Sequence, residues 1–218
     1  MRMDSLREEI KDALYAVDFE KIARCALENK KVFSILISLT YDKEDLLCWR
    51  AIEAVGRAAG VVAKRDLPVV RNIVQRLLWS VREESGGIGW SAPEMLGEIV
   101  RNSPEAFSDI PPLIFSFHEE EMFLKGVLWA MGRLADAGIN PVAGTAELAA
   151  QYLDHEDPLV RSLALLTISR MNVPKVQDKI KALTGDKARL RMYEDSELRE
   201  NTVGNIATRT LQELREVV

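Results

Sequence analysis

Apolar residues along this chain recur every three to four positions almost throughout, which is the period of an amphipathic helix. Leu47, Ala51, Ala54, Val55, Ala58 and Ala59 share one helical face. The same spacing relates Met95, Leu96, Ile99 and Val100, then Phe123, Val127, Leu128, Met131 and Leu134, then Val160, Leu163, Ala164 and Ile168. Period-two runs of strand type are absent until the last thirty residues. The pattern predicts an all-α chain.

The helices resemble one another. Small residues recur near the end of each apolar run, at Gly56, Gly97, Gly132 and Ser169, with spacings of 41, 35 and 37 residues. Such a period is the length of one antiparallel helix pair in a stacked repeat, and small residues at a fixed register let neighbouring backbones approach. A second helix is expected in each unit, with Pro68, Pro104, Pro141 and Pro174 near the starts, where a missing N–H costs nothing. These helices read as 67–81, 104–117, 141–153 and 173–183, and an N-terminal trio spans 4–17, 19–28 and 31–41. One domain, 1–218, is expected, with units near 4–43, 44–82, 89–117, 119–153 and 157–183 and a closing segment at 188–218.

That closing segment has two readings. Asp195-Ser196-Glu197-Leu198-Arg199 matches Asp157–Arg161 at a spacing of 38 and suggests a further repeat helix. The favoured reading is a hairpin, because Leu190 and Met192 alternate with Arg189, Arg191 and Tyr193 ahead of a Glu194–Glu197 turn. Thr202 then caps a last helix carrying Val203, Ile206, Ala207, Leu211 and Leu214.

The run Asp157-Pro158-Leu159-Val160-Arg161, followed by Ala164 and Ile168-Ser169-Arg170, resembles the HEAT-repeat family, including its bacterial lyase-type variants. The resemblance implies a right-handed α-α superhelix and a protein-binding or scaffold role. The other units depart from that start pattern, with Leu47-Cys48, Trp90-Ser91 and Phe123-Leu124 at the equivalent places. The segment from Gly86 to Glu94 also resembles a Gly-Gly-x-Gly-Trp-x-x-Pro-Glu element of a subgroup of HEAT-like proteins.

Charge narrows the function classes. The 218 residues carry a formal net charge of −5, which argues against a chain that grips nucleic-acid phosphates. Two cysteines, Cys25 and Cys48, both in helical runs, give no disulfide framework and suggest a reducing compartment. With no signal-like start and no apolar run of membrane length, a cytoplasmic protein without membrane partners is expected. Residues 83–121 hold nine acids and one base, Arg101, a block suited to docking a basic partner segment.

The expected partner-binding site is therefore the loop and helix start formed by Glu83, Glu84, Gly86, Gly87, Gly89, Trp90, Glu94 and Glu98. Trp90 supplies the anchor, the acids steer, and the glycines admit a close backbone. Three glycines before a helix also suggest a phosphate loop, but no strand precedes them and no Gly-Lys-Ser/Thr follows. Ser91-x-x-Glu94 reads more simply as a capping box.

Two enzyme readings stand as alternatives. His118-Glu119 and His155-Glu156, 37 residues apart in equivalent turns, resemble the His-Glu pairs of HEAT-repeat deoxyhypusine hydroxylase, which imply a di-iron site. Two pairs in turns are half of what that chemistry uses, so solvated turn residues are the expectation. Trp49, Trp79, Trp90 and Trp129 are similar to the aromatics of HEAT-like alkylpurine DNA glycosylases, but the central units are acidic and would repel phosphates. Trp49 and Trp129 are expected in the core. Arg57, Arg133 and Arg170 follow the small anchor in three units and are expected to pair locally. No catalytic residue, metal or cofactor is expected.

Overall fold

The computed structural model describes residues 3–82, 89–139, 142–171, 173 and 176–216. It is an all-α helical-repeat architecture with one two-stranded antiparallel sheet among the described residues. Contacts divide the chain into two compact units, Met1–Pro111 and Pro112–Val218.

The first unit contains α1 (Met3–Tyr15), α2 (Phe19–Glu28), α3 (Lys31–Ile37), α4 (Leu46–Ala63), α5 (Leu67–Arg82) and α6 (Ala92–Asn102). α4 packs between α2 and α6, while α3 and α5 lie against it from its flanks. The small-residue register has a visible purpose here. A Cβ on Gly56 would sit 2.5 Å from the Glu98 carbonyl oxygen, so α4 and α6 touch backbone to backbone. One turn on, a Cβ on Gly60 would sit 2.9 Å from both Cβ and O of Asn102. α4 starts on Asp45, whose carboxylate accepts from Leu47 N–H at 2.9 Å. That N-cap was hidden in the sequence by the departure at Leu47-Cys48.

The helix expected from Pro104 does not form. Residues 103–110 are turns, and α7 begins only at Pro111 and runs to Ser116. Arg71 of α5 holds the turn open: it donates to both Asp109 oxygens at 2.9 and 2.8 Å and to the Ala106 carbonyl, with its guanidinium 4.7 Å from the Phe107 ring centroid. Phe107 is fully buried beneath it.

The second unit continues with α8 (Glu121–Asp136), α9 (Thr145–Gln151), α10 (Pro158–Arg170), α11 (Gln177–Leu183), a hairpin of β1 (Arg189–Glu194) and β2 (Glu197–Thr202), and α12 (Val203–Glu216). The expected starts at Pro141 and Pro174 lie outside the described residues, and the helices themselves begin later, at Thr145 and Gln177. α10 packs on α8 and α12. Thr167 Oγ1 donates across to the Leu128 carbonyl at 3.1 Å, and Thr210 Oγ1 to the Leu165 carbonyl at 3.4 Å. Asp157 caps α10 through Leu159 N–H at 2.8 Å. Arg161 donates to Asp186 at 2.7 Å and to the carbonyls of His155 and Glu156 at 2.6 and 2.9 Å, tying the helix start to the hairpin approach.

The hairpin reading is the correct one. Asp195 and Ser196, at φ 50° and 62°, form the two-residue turn, and Glu194 pairs with Glu197. Positive φ at both central residues matches the twist of the strands. Leu190 and Met192 are buried as expected, and Tyr193 is buried too. Thr202 Oγ1 accepts from Asn205 N–H at 3.2 Å and so caps α12.

Candidate functional site

Glu83, Glu84, Gly86 and Gly87 lie outside the described residues. Gly89, Trp90 and Ser91 form a 3-10 turn leading into α6. Trp90 is 55% exposed on that turn. Its backbone is held from below by Lys43, which donates to the Trp90 carbonyl at 3.1 Å and forms a close ion pair with Glu94. The Lys43 carbonyl in turn accepts from Trp49 Nε1 at 2.8 Å, and its ammonium sits 6.0 Å from the Trp49 ring. Ser91 Oγ donates to the Thr40 carbonyl at 2.8 Å. The turn thus presents an exposed indole on a frame of four polar tethers.

This arrangement corrects two expectations. No capping box forms, because Ser91 makes no side-chain cap bond and Glu94 is spent on Lys43. Glu94 and Glu98 are 1% and 0% exposed, so neither faces solvent as a steering charge. The reason is that every residue of α6 from Ala92 to Val100 is buried. An amphipathic pattern leaves its polar stripe to solvent only when one side of the helix is uncovered, and this helix is covered all round. Glu98 lies instead in a polar seam against α4, 3.7 Å from Arg101. Glu53, also buried, faces its own helix neighbour Arg57 at 3.2 Å. Burial pushes the Cys48 thiol at this seam up to about 12, with Glu94 adding to the effect and Lys43 opposing it.

Beside the seam, the first unit carries an open groove of about 970 Å³. Its floor is the close approach of Gly60 to Asn102. The apolar part of its wall comes from Val17, Phe19 and Val61, and the cationic part from Arg24, Arg57 and Lys64. Val17 stands out. Asp18 N–H donates to the Ala13 carbonyl and Val17 N–H to the Leu14 carbonyl, the two bonds of a Schellman termination of α1. The left-handed residue of that motif is usually glycine, yet here it is a valine at φ 57°. A β-branched side chain in this region costs about 1–2 kcal/mol. Val17 is 36% exposed, so part of its side chain faces the groove.

In the second unit, His118 lies inside the 3-10 turn Phe117–Glu119 ahead of α8, and His155 directly follows the 3-10 turn Tyr152–Asp154 ahead of α10. Each stacks on the aromatic three residues before it, Phe115 at 4.8 Å and Tyr152 at 5.6 Å between centroids. His118 Nδ1 lies 2.7 Å from the Phe115 carbonyl, and His155 Nδ1 accepts from Asp157 N–H at 3.0 Å. Glu119 and Glu156 are exposed beside them. Among the described residues no group of three or more His, Cys, Asp or Glu converges to hold a metal. A groove of about 540 Å³ between these turns carries Glu120, Glu121 and Glu156 in solvent, with Lys125 paired to Asp157 at 2.5 Å.

The remaining candidates fall where expected or near it. Trp129 is core, Trp49 is half-buried, and Trp79 is exposed. Two of the arginines pair locally, Arg57 with Glu53 and Arg133 over the Trp129 ring at 5.3 Å, whereas Arg170 of α10 reaches across to Asp136 of α8 at 3.9 Å. Sequence reasoning missed the groove. Gly56 and Gly60, one turn apart, were the available signal for a close helix approach; nothing in the residue type of Val17 announces a left-handed turn.

No protein-family model matches the chain. An uncharacterized protein of Archaeoglobus fulgidus is 35% identical over 114 residues, which is 50% of this chain and 59% of that protein. The chain therefore spans less than two thirds of the length of this curated relative. Among solved structures, a designed armadillo repeat protein in complex with a (KR)4 peptide aligns with 98% of this chain and 100% of its own, at 14% identity and a TM-score of 0.51. A second designed armadillo repeat protein aligns with 95% and 94% of the two chains at 15% identity and a TM-score of 0.48. The likeness is one of fold. No described helix is long and apolar enough to cross a membrane.

Proposed function

We propose that this protein is a helical-repeat scaffold of HEAT-like type that binds a partner polypeptide, with Trp90 as an anchor, in the cytoplasm. The observation that carries the reading is the exposed indole on a turn tethered by Lys43, Glu94 and Ser91. Interface hot spots are enriched in tryptophan, and a pre-set backbone lowers the entropy lost on binding. Solved relatives in fold include a repeat protein carrying a peptide, which supports a peptide as the class of ligand.

A basic partner segment is a finer reading. At the Trp90 turn it rests on Glu83 and Glu84 alone, since Glu94 and Glu98 are internal. Glu120, Glu121 and Glu156 of the second unit supply solvent-facing carboxylates that favour it there.

An array of immobilised peptides tests the scaffold reading. Each peptide pairs one aromatic or aliphatic residue with zero to three Glu or Lys neighbours. Wild-type protein is expected to bind a subset of spots, and Trp90→Ala to lose those spots by about thirtyfold, the hot-spot range, with an unchanged melting curve. Equal binding by a stable Trp90→Ala protein refutes the anchor.

A further inference from the structure

The Trp90 turn is tied from two sides to the segment between α3 and α4. Ser91 Oγ donates to the Thr40 carbonyl at 2.8 Å, and Lys43 donates to the Trp90 carbonyl at 3.1 Å. We propose that Tyr41, Trp90 and Asp42 together form a site for an arginine side chain of the partner polypeptide. The site rests on the scaffold reading in taking Trp90 as an anchor, and adds which side chain that anchor takes.

Three observations converge. The first is a second exposed ring. Tyr41 is 54% exposed and directly follows Thr40, whose carbonyl is bonded by the residue after Trp90. Two large aromatics therefore stand in solvent on cross-linked backbones. Single surface aromatics are ordinary, whereas a pair on one tethered edge is a candidate interaction surface. The second is that both rings have a fixed base. Thr40 is buried, with its hydroxyl on the Ile37 carbonyl at 2.9 Å. Asp45 N–H donates to the Asp42 carbonyl at 3.0 Å, and Trp49 Nε1 to the Lys43 carbonyl at 2.8 Å. Rings on a pre-set backbone lose less freedom on binding.

The third is charge. From Thr40 to Trp49 the acids are Asp42, Glu44 and Asp45, and the sole base is Lys43. Lys43 turns inward to the buried Glu94, so its ammonium is matched within the protein. Asp45 caps α4 through Leu47 N–H at 2.9 Å, which answers the positive end of that helix. Asp42 and Glu44 are exposed in addition. Asp42 accepts from Glu44 N–H through Oδ1 at 3.0 Å, which leaves Oδ2 for a donor from outside. Carboxylate beside exposed indole and phenol favours a cation and disfavours an acidic segment. Between the two basic side chains, the planar guanidinium stacks on aromatic faces and presents its donors as a fork, while an ammonium is a compact point charge. The chemistry selects arginine over lysine.

Dye-labelled (Gly-Arg)4, (Gly-Lys)4 and (Gly-citrulline)4 peptides, titrated at physiological salt and read by fluorescence anisotropy, test the site. Citrulline keeps the outline of arginine without its charge. The arginine peptide is expected to bind about threefold tighter than the lysine peptide and about tenfold tighter than the citrulline peptide. Tyr41→Ala is expected to weaken arginine binding about fivefold, with an unchanged melting curve. Tyr41→Leu, which keeps apolar bulk and removes the ring, is expected to do the same. Asp42→Asn retains the Oδ1 acceptor for Glu44 and is expected to lose about threefold. Equal affinity for the arginine and citrulline peptides overturns the proposal. So does arginine binding that survives both Tyr41 variants, or that is lost instead in Glu120→Gln/Glu121→Gln of the second unit. Undiminished binding by Asp42→Asn overturns the role given to Asp42. If the immobilised peptides bind through Trp90 while the arginine peptide does not bind, the scaffold reading stands and this site falls. If no peptide binds in either assay, both fall.

Discussion

Gly56→Ala isolates the contact on which the first unit is built. In an exposed helix this change stabilises by about 1 kcal/mol, because alanine loses less conformational freedom. At Gly56 the new methyl would meet Glu98 at 2.5 Å (O), 2.6 Å (Cβ) and 2.7 Å (C), two of which are backbone atoms that no rotamer change removes. α6 has to move away from α4, which opens the packing around Met95, Leu96 and Ile99, all fully buried. Forced overpacking of a core costs about 1–3 kcal/mol, and the backbone nature of this clash places it at the upper end. Subtracting the propensity gain leaves a net loss of about 2 kcal/mol, or roughly 10 °C in melting temperature for a unit of this size. Gly132→Ala is the internal control. There the added methyl meets side-chain atoms first, Arg170 Nη1 and Thr167 Oγ1, both at 3.1 Å. The guanidinium can swing away, but Thr167 Oγ1 is held by the Leu128 and Leu163 carbonyls and can give only a little, so the propensity gain offsets part of the cost and the loss is expected to be smaller than at Gly56. Urea unfolding of both variants, followed by circular dichroism, measures the difference. A Gly56→Ala protein as stable as wild type, or no more affected than Gly132→Ala, would refute the close packing of α4 on α6.

Three further outcomes follow from local chemistry. The Arg71 guanidinium hydrogen-bonds Asp109 and holds its carboxyl below the usual carboxylate range. The folded-state value is depressed, so the stabilisation is present above the unfolded value near pH 4 and is lost as pH falls through the folded one. Acid titration of Asp109→Asn should show a shallower loss of stability below pH 4, by less than about 1 kcal/mol because the pair is exposed; an unchanged acid limb would count against the pair. Burial pushes the Cys48 thiol up to about 12, whereas Cys25 is only half-buried, so alkylation at pH 8 followed by mass spectrometry should label Cys25 first and Cys48 only with unfolding. Ser196→Gly, at φ 62° in the hairpin turn, should stabilise the second unit by roughly 0.5–1 kcal/mol, and a lower melting temperature would refute the positive-φ turn.

What the sequence determined by itself was whatever a local period or a local hydrogen bond can encode. The presence of α4, α8 and α10 follows from apolar spacing, although each is covered on nearly all sides once packed. The start of α10 follows from Asp157, whose carboxylate reaches an amide two residues on. The Leu190/Met192 alternation and the Thr202 cap gave the hairpin over a further repeat helix for the same reason: each signal is read within a few residues. Tertiary structure decided everything that depends on what covers a helix from outside. Glu94 and Glu98 sit on the polar stripe of a clean amphipathic pattern, yet both are internal because α6 is enclosed and because Gly56 gives up its side chain to make room for Glu98. The segment after Pro104 carried a helix start and became a turn, since Arg71, over thirty residues earlier, bonds Ala106 and Asp109. The groove is further still from any local code. It depends on Val17 being held in a left-handed conformation by carbonyls of the preceding helix, and on Gly60 and Asn102 meeting across two helices. Spacing along a chain records which side chains share a face; only the packed molecule records what that face meets.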